Sequence, residues 1–212
     1  MQKLNINSHK YPPILKNYSG MPEVLYATGD LSIFDMPALA IVGTRAPSEY
    51  GKKITKGYAH FLSKSGVVVV SGLARGVDTI AHHEALAAGG KTIAVLGSGL
   101  DVVYPSENKN LFEEIVKSGI VITEHPPGTK PLPNHFLARN RIISGLSQGV
   151  LVVEGRQRSG TLSTAAHAAD QGKEVFAVPG AVDNPNSFAP NYLIDQGARI
   201  VRHPKDILDT FL

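Results

Sequence analysis

The chain has 212 residues, enough for one well-cored α/β domain with or without a small extension. A content of 42% hydrophobic and 18% charged residues fits a folded globular protein and argues against disorder, and the absence of cysteine excludes disulfides, thiolate zinc sites and cysteine catalysis. A net charge of +3 is too mild to name a nucleic-acid partner by itself. The polar start "MQKLNINSHKYPPILKNYSG" lacks the apolar core of a signal peptide, and no run approaches the ~18 apolar residues that span a bilayer. A soluble cytoplasmic protein with no membrane partner is expected.

In chain order, residues 1–36 stand apart. The stretch "YPPILKNYSGMPEVLYATGDLSIF" is punctuated by prolines and has one apolar patch around Val24–Tyr26. It is expected to form a strap packed on the body of the protein, with the main domain running over 37–212. From there short apolar runs recur: "ALAIVG" (38–43), "VVVVSG" (67–72), "TIAVLG" (92–97), "IVITE" (120–124), "VLVVEG" (150–155), "EVFAVPG" (174–180) and "ARIV" (198–201). Continuous runs of this length, rich in Val and Ile, suit strands covered on both faces, which means a parallel sheet.

Helical patterns fill the gaps. Residues 50–65 place Ile54, Tyr58, Phe61 and Leu62 on one face, with Gly66 as terminator. A second helix spans 78–88 and stops at Gly89-Gly90. Ser106 is a candidate N-cap for a third that runs toward Lys117, and a fourth covers 162–171. The stretch "PPGTKPLPNH" before Phe136 is too proline-rich for helix or strand and reads as a loop. A short terminal helix carries Ile207, Leu208 and Phe211 on one side. Alternating strands and helices with short connections predict an α/β fold: a doubly wound, mostly parallel, Rossmann-like sheet.

In such a sheet ligands bind beyond the carboxyl ends of the strands. Four of those ends carry glycine-bearing turns: "GTR" (43–45), "SGLARGVD" (71–78), "GSGLD" (97–101) and "EGRQRSGT" (154–161). Glycine lets a ligand approach the backbone, and the N–H groups at a helix start favour an anion. Six of the eight arginines (Arg45, Arg75, Arg139, Arg141, Arg156, Arg158) lie in or beside polar, glycine-bearing segments, and their forked guanidinium suits phosphate oxygens. Each turn alone is ordinary turn chemistry; four together with six arginines point to a phosphate-bearing ligand.

No turn fits G-x-G-x-x-G with a downstream acid, none fits the P-loop, and no G-x-S-x-G elbow is present. No cofactor is expected. His82 and His83 beside Asp78 and Glu84 point to different sides of a helix, so no metal site is expected; Asp78 is read as orienting its helix and His82 as a hydrogen-bonded core or site-wall residue. Phe136 has two readings, an anchor for its loop or a ring on which a base stacks.

The ordered blocks "AIVGTRAPSEYG", "VVVVSGLARGVDTIAHHEAL", "GGKTIAVLGSGLDVVYPSEN", "ITEHPPGTKPLPNHFLARNRIISGLSQGVLVVEG", "SGTLSTAAHAADQGKEVFAVPG" and "NYLIDQGA" resemble the DNA-processing protein A family, also called Smf, from about Tyr11 to Ile207. The resemblance implies a dimeric, cytoplasmic, non-catalytic protein. It would bind and protect incoming single-stranded DNA and help load a RecA-type recombinase in natural transformation. Family DNA contacts fall on Gly43, Thr44 and Arg45, on Phe136, Arg139, Asn140 and Arg141, and on Ser159, Gly160 and Thr161, with Lys130 as a weaker addition. Leu137 departs from the family's usual proline, and Ala189-Pro190 from a segment that usually holds glycine. The helical and winged-helix domains that flank this core in most members have no counterpart in the sequence.

The rival readings are a phosphoribohydrolase-like enzyme acting on nucleotide 5′-monophosphates and a scaffold that senses a mononucleotide. The hydrolases share this sheet and need a glutamate three residues after the turn threonine. Here that position is Thr164, and a hydroxyl cannot replace the carboxylate.

Overall fold

The structure, a computed structural model, describes residues 1–211. One nine-stranded sheet runs through it: β1 (Gln2–Asn5), β2 (Val24–Gly29), β3 (Ala38–Val42), β4 (Val68–Ser71), β5 (Thr92–Val95), β6 (Ile120–Thr123), β7 (Gly149–Val152), β8 (Glu174–Ala177) and β9 (Arg199–Ile200). The spatial order is β1-β2-β6-β5-β4-β3-β7-β8-β9. From β3 to β9 every pairing is parallel, as the continuous apolar runs require. The expected doubly wound α/β sheet is what the chain forms.

Alternation along each strand divides the core. Ala38, Ala40 and Val42 of β3 face one layer with Val150 and Val152, while Leu39 and Ile41 face the other with Val69 and Leu151. The second layer is closed by α1 (Glu49–Lys64), α2 (Val77–Ala87) and α7 (Lys205–Phe211) through Tyr58, Leu62, Ala81 and Ile207. The first is closed by α4 (Pro133–Gly145) and α5 (Gly160–Asp170) through Ile142, Ile143, Ala165 and Ala168. Helix α3 (Lys109–Ser118) covers Ala94 and Val121, and α6 (Phe188–Asp195) follows β8. The departure at Ala189-Pro190 is absorbed inside α6, where both residues are buried. The side chain of Phe211, expected on the apolar side of α7, lies outside the described residues.

Three expectations are corrected. Residues 1–36 do not simply lie on the sheet: β1 and β2 extend it, with β2 antiparallel to β6 and β1 antiparallel to β2. Tyr11, Leu15 and Ile33 between and after them plug into the first layer. The proline-rich loop ends earlier than expected, because Pro133 starts α4; the first helical position has no amide partner to lose. Phe136 therefore sits on a helix. Ser106 begins a short 3-10 turn ahead of α3 and places no side-chain cap on it.

The chain turns outward from β3 in both directions, with β4, β5 and β6 on one side and β7, β8 and β9 on the other. The crevice at such a reversal is where open α/β sheets bind ligands, and here it lies between the loops that follow β3 and β7.

Candidate nucleic-acid interface

A cleft opens at that reversal. It is walled by Gly43 and Arg45 after β3, Ala74 and Asp78 after β4, Phe136, Leu137, Arg139 and Asn140 of α4, and Gly160, Thr161 and Thr164 of α5. Seven of the residues proposed from sequence thus meet around one space of about 80 Å³. Sites that enclose a whole small molecule run to ~300–1,000 Å³, so the cleft suits a phosphate-sized group with the rest of the ligand outside.

The start of α5 forms one wall. Ser159 takes the N-cap position in extended conformation (φ −97°, ψ 148°), yet its hydroxyl makes no cap hydrogen bond. Its Oγ is buried without a partner. The amides of the first turn lack that cap and carry the positive end of the helix dipole. Asn140 fixes this turn to α4 by donating Nδ2–H to the Gly160 carbonyl at 3.2 Å.

Arg139 forms the floor. It is 4% exposed. Nη1 donates to the carbonyls of Gly72, at 2.8 Å, and Val95. Gly72 is glycine for a steric reason, because a Cβ there would stand 2.2 Å from Nη1. Nε remains buried and unpartnered. Burial lowers the Arg139 pKa to about 10, with Asp78 opposing the shift, so the group stays cationic at neutral pH. Burial likewise pushes the Asp78 carboxyl up from its ordinary range, against the pull of Arg139 and of the amides it accepts from.

Asp78 is a site-building residue more than a helix cap. Its Oδ2 accepts from Gly72 N at 3.0 Å and Ala74 N at 3.4 Å, which clamps the loop between them. Leu73 in that loop has φ 57°, a left-handed conformation that costs a leucine ~1–3 kcal/mol. Asn108 offsets the strain by donating Nδ2–H to the Leu73 carbonyl at 2.9 Å. No sequence signal marked Asn108, since its partners lie 29 and 35 residues away.

Arg45 and Phe136 form the open rim. Arg45 is exposed, has no carboxylate within 4 Å among the described residues, and lies with its guanidinium carbon 5.6 Å from the Phe136 ring centre. The "GSG" turn now has a role. A Cβ at Gly97 would stand 2.9 Å from the Phe136 ring, so this glycine seats an aromatic ring and does not wrap a phosphate.

Four proposed residues lie outside the cleft wall. Thr44 spends its amide on the Glu154 carbonyl at 2.7 Å and its hydroxyl on Ala46 N at 3.2 Å, so it holds the turn and offers no amide to a phosphate. Arg141 turns the other way, with Nη1 and Nη2 each 2.7 Å from a Glu124 oxygen and Nε 2.8 Å from the Gly20 carbonyl. Burial would raise the Glu124 carboxyl, but Arg141 outweighs it and holds that group below the usual range. Arg139 and Arg141, both expected from the resemblance to contact DNA, are therefore split between floor and outer scaffold. Ser159 precedes α5 with its Oγ beside Gly155, and Lys130 is exposed on the loop before α4.

The enzyme-type acids are placed elsewhere. Glu154 is 1% exposed and accepts from the hydroxyl of Ser48, at 2.5 Å, and from its amide, at 2.9 Å, at the start of α1. Thr164 is buried beside Gly160. Asp78 is the one carboxylate in the wall. Among the described residues no three His, Asp or Glu side chains cluster as a metal ion needs, and no helix is long and apolar enough to cross a membrane.

The chain is similar to known proteins along almost its whole length. It is 44% identical over 205 residues to DNA processing protein DprA of Bacillus subtilis (strain 168), covering 96% of this chain and 69% of that one. The X-ray structure of DNA processing protein A from Streptococcus pneumoniae superposes with a TM-score of 0.95 at 43% identity, over 98% of this chain and 73% of the other. DNA processing protein A from Helicobacter pylori, whose structure was described for its single-stranded DNA binding mode, superposes at 0.89 with 32% identity, over 100% and 96%. The chain spans between 49% and 71% of the length of the curated relatives it matches. A molybdenum cofactor binding protein from Rippkaea orientalis, at 22% identity and a TM-score of 0.58, shares the fold alone. The family model described as DNA recombination-mediator protein A matches residues 2–212, and the chain belongs to that family.

Proposed function

We propose that this chain binds single-stranded DNA by its phosphates and leaves the strand intact. The observation that carries the reading is the buried, unpartnered Nε of Arg139 together with the uncapped start of α5 around a phosphate-sized space. A buried donor without a partner is costly, and Arg139 is the one such residue in the cleft wall among the described residues, which supports an anionic ligand there. Arg45 at the rim adds an exposed cation, and Phe136 a ring on which a base can stack. Likeness to the Helicobacter pylori protein supports the strand as ligand.

Family membership extends the proposal: protection of incoming strands, loading of a RecA-type recombinase during natural transformation, action as a homodimer, and a place in the cytoplasm. The test compares a labelled single strand, its duplex and a mononucleotide in one titration series, with ribose 5-phosphate release followed alongside. Single-strand binding that exceeds the other two, without release, is the expected result. Release of ribose 5-phosphate would establish the hydrolase reading. Tight mononucleotide binding without turnover would establish the sensing scaffold.

A further inference from the structure

Beside the phosphate cleft lies a second, smaller recess lined by Arg45, Ala74, Arg75, Tyr104, Pro105 and Phe136. Its two rings are neighbours: the Tyr104 and Phe136 centres are 5.6 Å apart and tilted by 46°. Tyr104 is 41% exposed, and among the described residues no hydrogen bond from its hydroxyl fixes it as a core tyrosine. The loop that leads to it is nevertheless held. Ser98 Oγ–H donates to the Val102 carbonyl at 2.7 Å, and Val102 N–H to the Gly99 carbonyl at 3.0 Å. The ring is therefore presented to solvent from an anchored loop.

The charges around it are arranged unequally. Arg75 is paired with Glu107, Nη2 to Oε2 at 3.1 Å, which leaves its side of the recess close to neutral. Arg45, on the side shared with the phosphate cleft, has no acidic partner among the described residues. A largely apolar, two-ringed recess with its free cation on the phosphate side fits a nucleobase better than a second phosphate.

We infer that Tyr104 stacks one base of the bound strand, next to the base taken by Phe136, so that two successive bases lie on adjacent rings while their shared backbone enters the cleft. This rests on the single-strand reading above. It assigns Tyr104 a binding role that the phosphate contacts neither require nor supply. Because every base has a π-face, the subsite favours stacking strength over sequence.

The test uses fluorescence anisotropy on two labelled strands of equal length, one with thymines and one with abasic residues, against the wild type, Y104A and Y104F. Y104A is expected to weaken the thymine strand roughly fivefold or more. It should leave the abasic strand and the salt dependence unchanged, and Y104F should bind as the wild type does. The chain has no tryptophan, so Y104W adds a single indole whose emission the thymine strand should quench and the abasic strand should not. Equal binding by Y104A and wild type overturns the inference, as does equal weakening of both strands or an unquenched Y104W. A wild type that binds neither strand overturns the single-strand reading itself, and this one with it.

Discussion

Arg139 shows how a residue can line a proposed binding site and still act first on stability. Its Nη1 is spent on the carbonyls of Gly72 and Val95, so removing it breaks two buried hydrogen bonds and takes away the cation whose charge favours the buried Asp78 carboxylate. Arg139→Ala is expected to cost ~1–3 kcal/mol of stability, read by urea denaturation. Arg45→Ala is expected to stay within about 0.5 kcal/mol, because Arg45 is exposed and touches one ring. A binding loss in the first variant therefore means something different from a binding loss in the second. Arg141→Ala belongs with Arg139→Ala, since it frees Glu124 and unties Gly20.

His82 sets a pH dependence at the same scale. Thr92 donates its hydroxyl proton to the Val69 carbonyl, so it must accept from His82 Nδ1–H at 2.6 Å. That assigns the neutral tautomer with a bare, buried Nε2. Burial lowers the pKa from 6.5 to about 3. The unfolded chain thus takes up a proton below pH ~6.5 that the folded chain refuses until about 3. Stability conferred by the neutral ring is present above pH ~6.5 and is lost as the pH falls toward 3; at pH 5 the loss amounts to about 2 kcal/mol. In His82→Leu the fall in melting temperature between pH 7 and pH 5 should shrink. An unchanged fall would place the acid sensitivity elsewhere.

Among the elements, α5 carries the sharpest prediction. Ser159→Asp would supply the missing cap and place a carboxylate at the start of α5, next to the wall residues Gly160 and Thr161. Helix stability should rise by about 0.5–2 kcal/mol while strand affinity falls. A variant that is stabilised and still binds normally would remove the start of α5 from the site. The elements also show what a sequence displays and what it hides. The parallel strands were legible because burial on both faces makes them continuously apolar. β1 was not, because as an edge strand it buries only Leu4 of its four residues. α4 was partly hidden because Pro133 reads as a breaker in isolation and as a start only with the following turn in place. In the site, Gly43, Arg45 and the turn at 159–161 were visible as turn chemistry. The division of labour between Arg139 and Arg141 was not, since Glu124, 17 residues from Arg141 in sequence, draws the latter away. Gly97 was visible as a glycine but not as the seat of Phe136.

For the whole molecule, the winding of the sheet reverses at β3, and Arg45, without an acidic partner among the described residues, and the unpartnered Nε of Arg139 both lie there. A single strand lying across that edge gains affinity by releasing counterions, with the slope of log K against log salt set by the number of phosphates neutralised, about 0.7 per contact. The most direct measurement is that slope for the wild type and for Arg45→Ala, on a labelled single strand. Affinity should fall steeply with salt in the wild type, and the slope of the variant should be shallower by about 0.7 while its melting temperature is unchanged. A salt-independent affinity, or a slope identical in the two proteins, would contradict the phosphate-holding account.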